Sequence, residues 1–338
     1  MNELQRMCAD VRPPRERAVA EGRARLLSAA RNATPAPRAA RRRMPRVGVR
    51  LVAVGALAVA IATGTTVVQS MSGTDEHGRP RPIVPGLPAG PVANAADLLH
   101  RAAVQADARP RFAPRPDQWI FIEHRQRFPA IGTRTRTPRT PLVEQMTRTW
   151  WRADGNQKAT TSRGRYNTKG LEVENGPAGW KHHYPTLAAL PTDPARLPDA
   201  MVAKGLAPHL AGLRGEERAA ELYGTYLAIL RNGVAPPKLE AAIFRAIAAL
   251  PGVTLDREGV DLAGRRAITV GRVSEGYLRT EVMIDPATYA YLGERVTAIR
   301  DHTSEATDGT WTVKKGAVLN LETRTPAGRV VDRPGLLP

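Results

Sequence analysis

The chain has 338 residues, of which 42% are hydrophobic and 24% are charged, and these are ordinary values for a globular protein. The composition excludes collagen, coiled coil and wholesale disorder as descriptions of the whole chain. A single cysteine, Cys8, excludes an internal disulfide framework and any zinc site built on several cysteines.

The net charge of +18 is concentrated near the N-terminus. Residues 1–50 hold thirteen arginines against four acidic residues, which accounts for half of the excess. The densest basic run directly precedes an apolar segment, and positive residues beside a membrane span hold that end in the cytoplasm. We therefore interpret the run as membrane-flanking rather than as a nucleic-acid-binding patch. Its candidate residues are Arg41, Arg42, Arg43, Arg46 and Arg50.

The apolar segment 51–74 contains no charged residue. As a helix it would extend about 36 Å, against a hydrocarbon layer of about 30 Å. Fifty residues precede it, whereas a cleaved signal peptide begins close to the first methionine. The segment predicts a retained, single transmembrane helix over 47–72. The predicted localisation is the cell membrane, with a cytoplasmic N-terminus and an extracytoplasmic C-terminal domain.

Four further regions follow from composition. Residues 1–46 form a predicted basic arm in the cytoplasm, with one helix over 15–31. That helix either docks on a partner or belongs to a disordered arm on anionic lipid. Residues 73–91 contain five prolines and four glycines and predict an extended linker. The extracytoplasmic domain is predicted over 92–333, with a short tail over 334–338.

Within that domain, the predicted elements change from strands to helices and back to strands. Residues 117–124 and 143–153 are rich in β-forming side chains. Residues 217–231 and 239–250 carry apolar positions at helical spacing. A turn motif within 277–300 predicts a hairpin. This order predicts an α+β fold, an antiparallel sheet with helices packed on one face.

Several short motifs accompany the arginine-flanked span. They are Leu98-Leu99, Asp117-Gln118-Trp119, Trp151-Arg152-Ala153-Asp154-Gly155, Leu190-Pro191-Thr192-Asp193-Pro194 and Ile284-Asp285-Pro286. With them the chain resembles an actinobacterial family of single-pass membrane proteins that has no assigned activity and is often encoded beside extracytoplasmic-function sigma factors. More loosely, the domain looks like the curved half-barrel of lipoprotein carriers and of the periplasmic sensor that binds an anti-sigma factor. The predicted fold class is thus a curved antiparallel sheet with helices on one face, preceded by a single transmembrane helix.

The sequence contains none of the common catalytic or cofactor-binding motifs, such as GxSxG, HExxH, a Walker loop or GxGxxG. We therefore predict no catalytic residue, no metal site and no cofactor. Four aromatic residues are candidates for a hydrophobic groove. One of Trp150 and Trp151 should enter the core while the other lines a groove, and Tyr223 and Tyr226 either pack in the core or line a cleft between helices and sheet.

Together these patterns predict a membrane-anchored, non-enzymatic envelope protein whose outer domain binds a hydrophobic ligand or a protein partner. The predicted partners are the lipid membrane, a lipid or peptide ligand outside and a regulatory protein in the cytoplasm, with no nucleic acid. Two alternatives stay open. One is a sigma-factor-associated regulator that acts through the cytoplasmic arm. The other is an extracytoplasmic enzyme with an unrecognised site, which clustered acids with perturbed pKa values in a cleft would indicate.

Overall fold

A computed structural model describes residues 91–110, 112–176, 182–232, 235–307, 309–324 and 329–338. In this part of the chain the strands are β1 (Trp119–Pro129), β2 (Thr135–Arg136), β3 (Leu142–Arg152), β4 (Gln157–Gly164), β5 (Lys169–Asn175), β6 (Thr254–Val260), β7 (Arg266–Ser274), β8 (Leu278–Ile284), β9 (Tyr291–Ala298), β10 (His302–Ala306), β11 (Gly309–Val313), β12 (Val318–Arg324) and β13 (Arg329–Val331). The α-helices are α1 (Ala95–Asp107), α2 (Tyr184–Ala188), α3 (Leu197–Ala203), α4 (Gly215–Asn232) and α5 (Pro237–Ala248), with short 3-10 turns at Pro194–Arg196 and Pro208–Ala211.

Ten strands form one antiparallel sheet, in the order β5-β4-β3-β1-β12-β9-β8-β7-β6, with β13 also paired to β1. β12 lies between β9 and β1, so it joins the strands that precede the helices to the strands that follow them. β5 and β6 are consequently the two edges of this sheet. Strands β10, β11 and β2 form a second, three-stranded sheet in which β11 and β2 run parallel.

The connection between β8 and β9 shows how local sequence sets this topology. Asp285 Oδ1 accepts hydrogen bonds from the main-chain N–H groups of Ala287 and Thr288, both at 2.8 Å. An aspartate that binds the main chain of the residues just after it closes a tight turn. The hairpin predicted from this motif is confirmed, because β8 and β9 pair with each other.

The main hydrophobic core lies between the helices and one face of β7 and β8. In α5, Leu239, Ile243 and Ile247 follow one another at helical spacing, and each is at most 1% exposed. They share the core with Val270 of β7 and Val282 of β8. Each fully buried side chain of this size contributes about 1.5–3 kcal/mol, so this half of the sheet carries most of the fold's apolar burial.

The predicted fold class requires a correction. The structure is a large antiparallel sheet with a few helices, and no helix in the described ranges is long and apolar enough to cross a membrane. The prediction of a single transmembrane helix rested on the length and hydropathy of the segment and on the arginines that precede it, not on any packing contact. In that segment threonine, glycine and alanine contribute little transfer free energy. The predicted span over 47–72 lies outside the described residues.

The arm and the linker predicted to flank that segment also lie outside the described residues, apart from residue 91. This applies to the predicted helix over 15–31 and to the membrane-flanking arginines. The predicted localisation depends on those residues and stays a prediction. The arginines concerned are Arg41, Arg42, Arg43, Arg46 and Arg50.

The two faces of the sheet can be followed through its register, because cross-strand partners lie on the same face. We call the face that carries Val282 the helix side and the opposite face the outer side. On the helix side, Val282 pairs with Glu294, Glu294 with Glu322, and Glu322 with Gln126. The helix side therefore changes from apolar to polar between β8 and β9.

Candidate functional site

Exposed apolar side chains concentrate at one edge of the sheet. Seven large apolar side chains are exposed in the described part of the chain. Two of them lie in β5, and four lie in segments with contacts that lead to it, namely the turn after β1, the turn between β4 and β5 and the C-terminal tail. We call these six the edge patch. It consists of Ile131, Tyr166, Leu171, Val173, Leu336 and Leu337. The seventh, Val260, lies in β6 at the opposite edge. Exposed apolar side chains gathered in one region of a folded domain commonly mark a binding site, so the edge patch is the candidate functional site.

Contacts around β4 and β5 hold the edge patch together. Leu171 and Val173 belong to β5 and are 47% and 48% exposed. A methyl group at Gly335 would lie 3.3 Å from Leu171 Cδ2, so the C-terminal tail passes beside β5. Tyr166 lies between β4 and β5, and its hydroxyl accepts a hydrogen bond from the main-chain N–H of Ile131 at 3.0 Å.

Trp150, one of the predicted groove residues, anchors this tail. Its indole Nε1 donates a hydrogen bond to the main-chain carbonyl of Leu336 at 2.8 Å. The ring is 2% exposed and packs on the outer side with Phe121, at a centroid distance of 5.4 Å, and with Val331. Since a buried indole N–H needs an acceptor, this bond gives the tail a defined position beside β5. Trp150 thus positions Leu336 of the edge patch.

The free edge of β5 also presents main-chain hydrogen-bonding groups. Gly176 N donates to the carbonyl of Asn156 at 2.9 Å, and the register places Asn175 opposite Gln157. In this antiparallel pattern the N–H and C=O groups of Val173 and Asn175 point away from β4. Among the described strands none pairs with the far side of β5. Apolar side chains and open main-chain groups therefore occur on the same strand.

The charged residues of β5 are paired locally. Lys158 Nζ lies 3.2 Å from Glu174 Oε2, and Lys169 Nζ lies 2.9 Å from Glu172 Oε2. Two lysines and two glutamates leave this part of the edge without excess charge. The two carboxylates, which share a strand face in the sequence pattern, are each held by a lysine and not by each other.

The other predicted groove residues lie elsewhere. Trp151 is on the helix side, packs against the cluster of Ile120, Ile122 and Ala153, and has Lys158 Nζ at 5.6 Å from its ring. Together with Trp150 on the outer side, the two tryptophans occupy opposite faces, as adjacent residues of a strand must. One of them is thus a core residue and the other is half-buried.

Tyr223 and Tyr226 lie in the main core, at 4% and 1% exposure. The Tyr223 hydroxyl donates toward the main-chain carbonyl of Thr280 at 3.0 Å. Burial raises the pKa of the Tyr226 hydroxyl to about 12 and raises the pKa of Tyr223 further. The four predicted groove residues are therefore distributed over three separate packing clusters.

A cluster of buried charged groups lies on the helix side where α4 ends. Glu294 and Glu322 are cross-strand partners at 1% and 2% exposure. Arg231 Nη1 donates to Glu294 Oε2 at 2.9 Å, and Gln126 Nε2 donates to Glu322 Oε2 at 2.7 Å. Burial raises the pKa of Glu294 to about 7, and burial also raises the pKa of Glu322. Two facing carboxyl groups with raised pKa values are the feature an acid–base enzyme would use.

The same cluster also caps α4. His124 Nε2 donates to the main-chain carbonyl of Arg231 at 2.8 Å, and Arg324 donates to that of Leu230. The last carbonyls of a helix have no partner within the helix, so these side chains complete its C-terminus. Burial lowers the pKa of His124 to about 4, so its ring is neutral at pH 7. Both glutamates are enclosed, and their hydrogen-bond partners belong to the protein.

Among the surface depressions of the described part of the molecule, two are notable. One, of about 600 Å³, lies beside α2 and α3, and half of its lining residues are alanines; its charged lining residues are Arg196, Asp199 and Lys204. The other, of about 390 Å³, lies on the outer side of β1, β3 and β4. Its lining residues are Glu123, Arg125, Glu144, Met146 and Arg163. The second depression includes Arg163 of β4, the strand next to β5.

No group of three or more His, Cys, Asp or Glu side chains in the described ranges is arranged to hold a metal ion. No family model, no curated protein and no solved structure matches this chain. The resemblance to a membrane-protein family therefore stays a prediction. The edge patch has to be interpreted from its own geometry.

Sequence patterns could have found part of this site. In β5, Leu171 and Val173 alternate with Glu172 and Glu174, which is the period of a half-buried strand. The alternation predicts a strand but not its place at an edge, because edge position depends on the pairing of all the other strands. The cross-strand pairing of Glu294 with Glu322 could not be predicted from the sequence either, since it arises from the register of β9 against β12.

Proposed function

We propose that this chain is a non-enzymatic binding protein whose β5 edge takes an extended segment of a protein partner as an additional strand. The observation that carries the proposal is the coincidence of two features on one edge. Of the seven exposed large apolar side chains in the described residues, two lie in β5 and four in segments beside it, and β5 has main-chain groups that no other described strand uses. Strand addition needs both, since main-chain bonds give affinity and side-chain contacts give specificity.

A protein segment suits this surface better than a hydrophobic small molecule. An acyl chain would cover Leu171 and Val173 but would leave the neighbouring N–H and C=O groups without hydrogen-bond partners. A peptide strand satisfies those groups and places alternate side chains over the apolar residues. Of the two ligand classes predicted from the sequence, the protein partner is therefore the one we propose.

The expected affinity is moderate. Leu171, Val173, Leu336 and Leu337 are each about half exposed, so covering them contributes roughly 1 kcal/mol per side chain. Part of that gain is lost again to the entropy of association. We therefore expect a transient complex rather than a permanent one.

The non-enzymatic part of the proposal is supported by the geometry of the buried acids. Glu294 and Glu322 are enclosed and bonded to Arg231, Tyr291 and Gln126, so a substrate would have to displace these partners to reach either carboxyl group. The cluster completes the end of α4 instead. The alternative of a regulator that acts through residues 1–46 concerns residues outside the described ranges and stays a prediction.

Fluorescence polarisation of the full-length chain with a short labelled peptide that alternates valine and threonine tests the proposal. The same peptide with N-methylated amides is the peptide control, because it cannot donate main-chain hydrogen bonds. We expect the first to bind and the second to bind at least roughly tenfold more weakly.

Two protein variants complete the experiment. Val173→Glu should weaken binding at least roughly tenfold, because a carboxylate would be covered by the peptide. Val260→Glu is the matched control, since Val260 has the same 48% exposure at the opposite edge, and it should leave affinity unchanged. Absence of binding to the wild type, or equal loss in both variants, would overturn the proposal.

A further inference from the structure

Arg163 carries a positive charge that is not paired with any other described residue. It lies in β4, the strand next to β5, and pairs with Met146 on the outer side. Its side chain is exposed, and within the described residues it makes no hydrogen bond or ion pair. A guanidinium is always charged and presents several donors in a fixed plane, so an unengaged one favours a carboxylate or a similar anion.

The other arginines of this surface are engaged. Arg125 and Arg127 both bind Glu144, at 2.7 and 2.9 Å, and Arg148 binds Glu123 at 2.7 Å. The bonds from Arg125 and Arg127 hold the pKa of Glu144 below its usual range, so this carboxylate is ionised and already shared. With Arg163 included, four arginines face two glutamates on the outer side of these strands. Of the two excess positive charges, one belongs to Arg125 and Arg127, which share Glu144, and the other is Arg163, which has no ion-pair partner among the described residues.

Arg163 also borders a concave space. The depression of about 390 Å³ has Arg163 and Arg125 on either side of Met146, with the two glutamates completing its lining. Neighbouring strands lie about 4.8 Å apart. A segment that pairs with the far side of β5 is therefore separated from β4, and from Arg163, by β5 alone. A side chain of glutamate length on such a segment can approach the guanidinium over the outer side.

We propose that the segment bound at the β5 edge carries an acidic side chain that forms an ion pair with Arg163. This inference rests on the proposed function, because it names the chemistry of the partner at that same edge. Apolar side chains of the segment cover Leu171 and Val173, and the acid fixes its position along the strand. The partner is thus an extended segment that combines apolar residues with glutamate or aspartate on one face.

The test compares two labelled peptides on the full-length chain. Both alternate valine and threonine, one with a glutamate at each end and the other with glutamine at those positions. We expect the glutamate peptide to bind roughly two- to fivefold more tightly, the magnitude of an ion pair on an accessible surface. The preference should shrink at high salt concentration, because exposed ion pairs are screened.

Two arginine variants test whether Arg163 causes the preference for the glutamate peptide. Arg163→Gln should abolish the preference for glutamate while it leaves binding of the glutamine peptide unchanged. Arg266→Gln is the matched control, because Arg266 is an exposed arginine in β7, the strand next to the opposite edge β6, and it should keep the preference. Equal binding of the two peptides to the wild type, or a preference retained in Arg163→Gln, overturns this inference alone. Failure of both peptides to bind overturns the proposed function as well.

Discussion

The two edges of the ten-stranded sheet differ in what the chain places against them. At the β6 edge, Arg257 donates to the main-chain carbonyl of Val92 at 2.6 Å, so the chain before α1 lies against this strand. The neighbouring strand β7 contributes Val270 to the main core at 0% exposure. At the β5 edge, every residue from Lys169 to Asn175 is exposed.

The regularity of the two edge strands differs as well. In β6 the register against β7 shifts between Asp256 and Gly259, next to the exposed Val260. Bulges of this kind make an edge strand less able to pair with a further strand. In β5 the shift lies on the Lys169 side, and the pairing from Glu172 to Asn175 is regular. An apolar, regular and open edge is a liability for a folded protein. Because only the β5 edge of this sheet combines these features, we infer that the β5 edge binds a partner.

The largest expected difference between the β5 half and the β6 half of the sheet is in their contribution to stability. Phe244 of α5 is 0% exposed in the main core, so Phe244→Ala should lower the free energy of unfolding by about 3–5 kcal/mol, as large-to-small changes in packed cores do. Chemical denaturation followed by circular dichroism measures this loss. A change below about 1 kcal/mol would contradict the assignment of the core to this half.

Next in size is the pH dependence that Glu294 confers. Its pKa is about 7 in the folded protein against a usual value of 4.5, so the folded state holds the proton more tightly. Stability is therefore lost as the pH rises from about 4.5 through 7, up to about 3 kcal/mol. Glu294→Gln mimics the protonated form and removes that loss.

Thermal melts at a series of pH values measure this effect. We expect Glu294→Gln to melt above the wild type at pH 8 and together with it near pH 4.5. His124 titrates in both proteins, so its contribution to the pH dependence of stability cancels in the comparison. A difference that is constant with pH, or one that grows toward acid, would show that Glu294 is ionised throughout.

A smaller effect is expected at the anchor of the tail. Trp150→Phe keeps most of the ring in its cluster but removes the hydrogen bond to Leu336, at a cost of about 1 kcal/mol. We expect faster hydrogen exchange or proteolysis in residues 333–338 and weaker binding of the valine–threonine peptide. If the tail stays protected and the affinity is unchanged, Trp150 does not position the edge patch.

The smallest effect on stability is expected within the edge patch itself. Leu171→Thr changes a side chain that is 47% exposed, so the free energy of unfolding should move by less than about 0.5 kcal/mol. Peptide affinity should nevertheless fall severalfold, because this residue is covered in the complex. Calorimetric unfolding and fluorescence polarisation on the same sample separate the two quantities. A large destabilisation with no loss of affinity would identify Leu171 as a structural residue.

The sequence predicted local elements better than their arrangement. Asp285 and the residues after it specify a turn by side-chain chemistry, and Leu239, Ile243 and Ile247 specify a helix face by spacing, so both features were predictable. The insertion of β12 between β9 and β1 is a pairing of distant segments, for which the chain carries no local signal. Since that pairing decides which strand ends at an edge, the edge patch could not be located from sequence.

The predicted groove illustrates the same limit. Trp150 and Trp151 are adjacent, and strand geometry places one on each face, but which face meets which partner depends on the whole sheet. The structure places Trp150 against the C-terminal tail, a contact between residues 186 positions apart. Its role beside the edge patch has no counterpart in local sequence.

Hydrogen exchange of the full-length chain, with and without the valine–threonine peptide, tests the account most directly. We predict that bound peptide slows exchange at the main-chain amides of Val173 and Asn175, whose N–H groups point away from β4, and leaves the amides of β6 unchanged. Slower exchange at β6 alone, or no protection at Val173 and Asn175 while the peptide is bound, would contradict strand addition at β5.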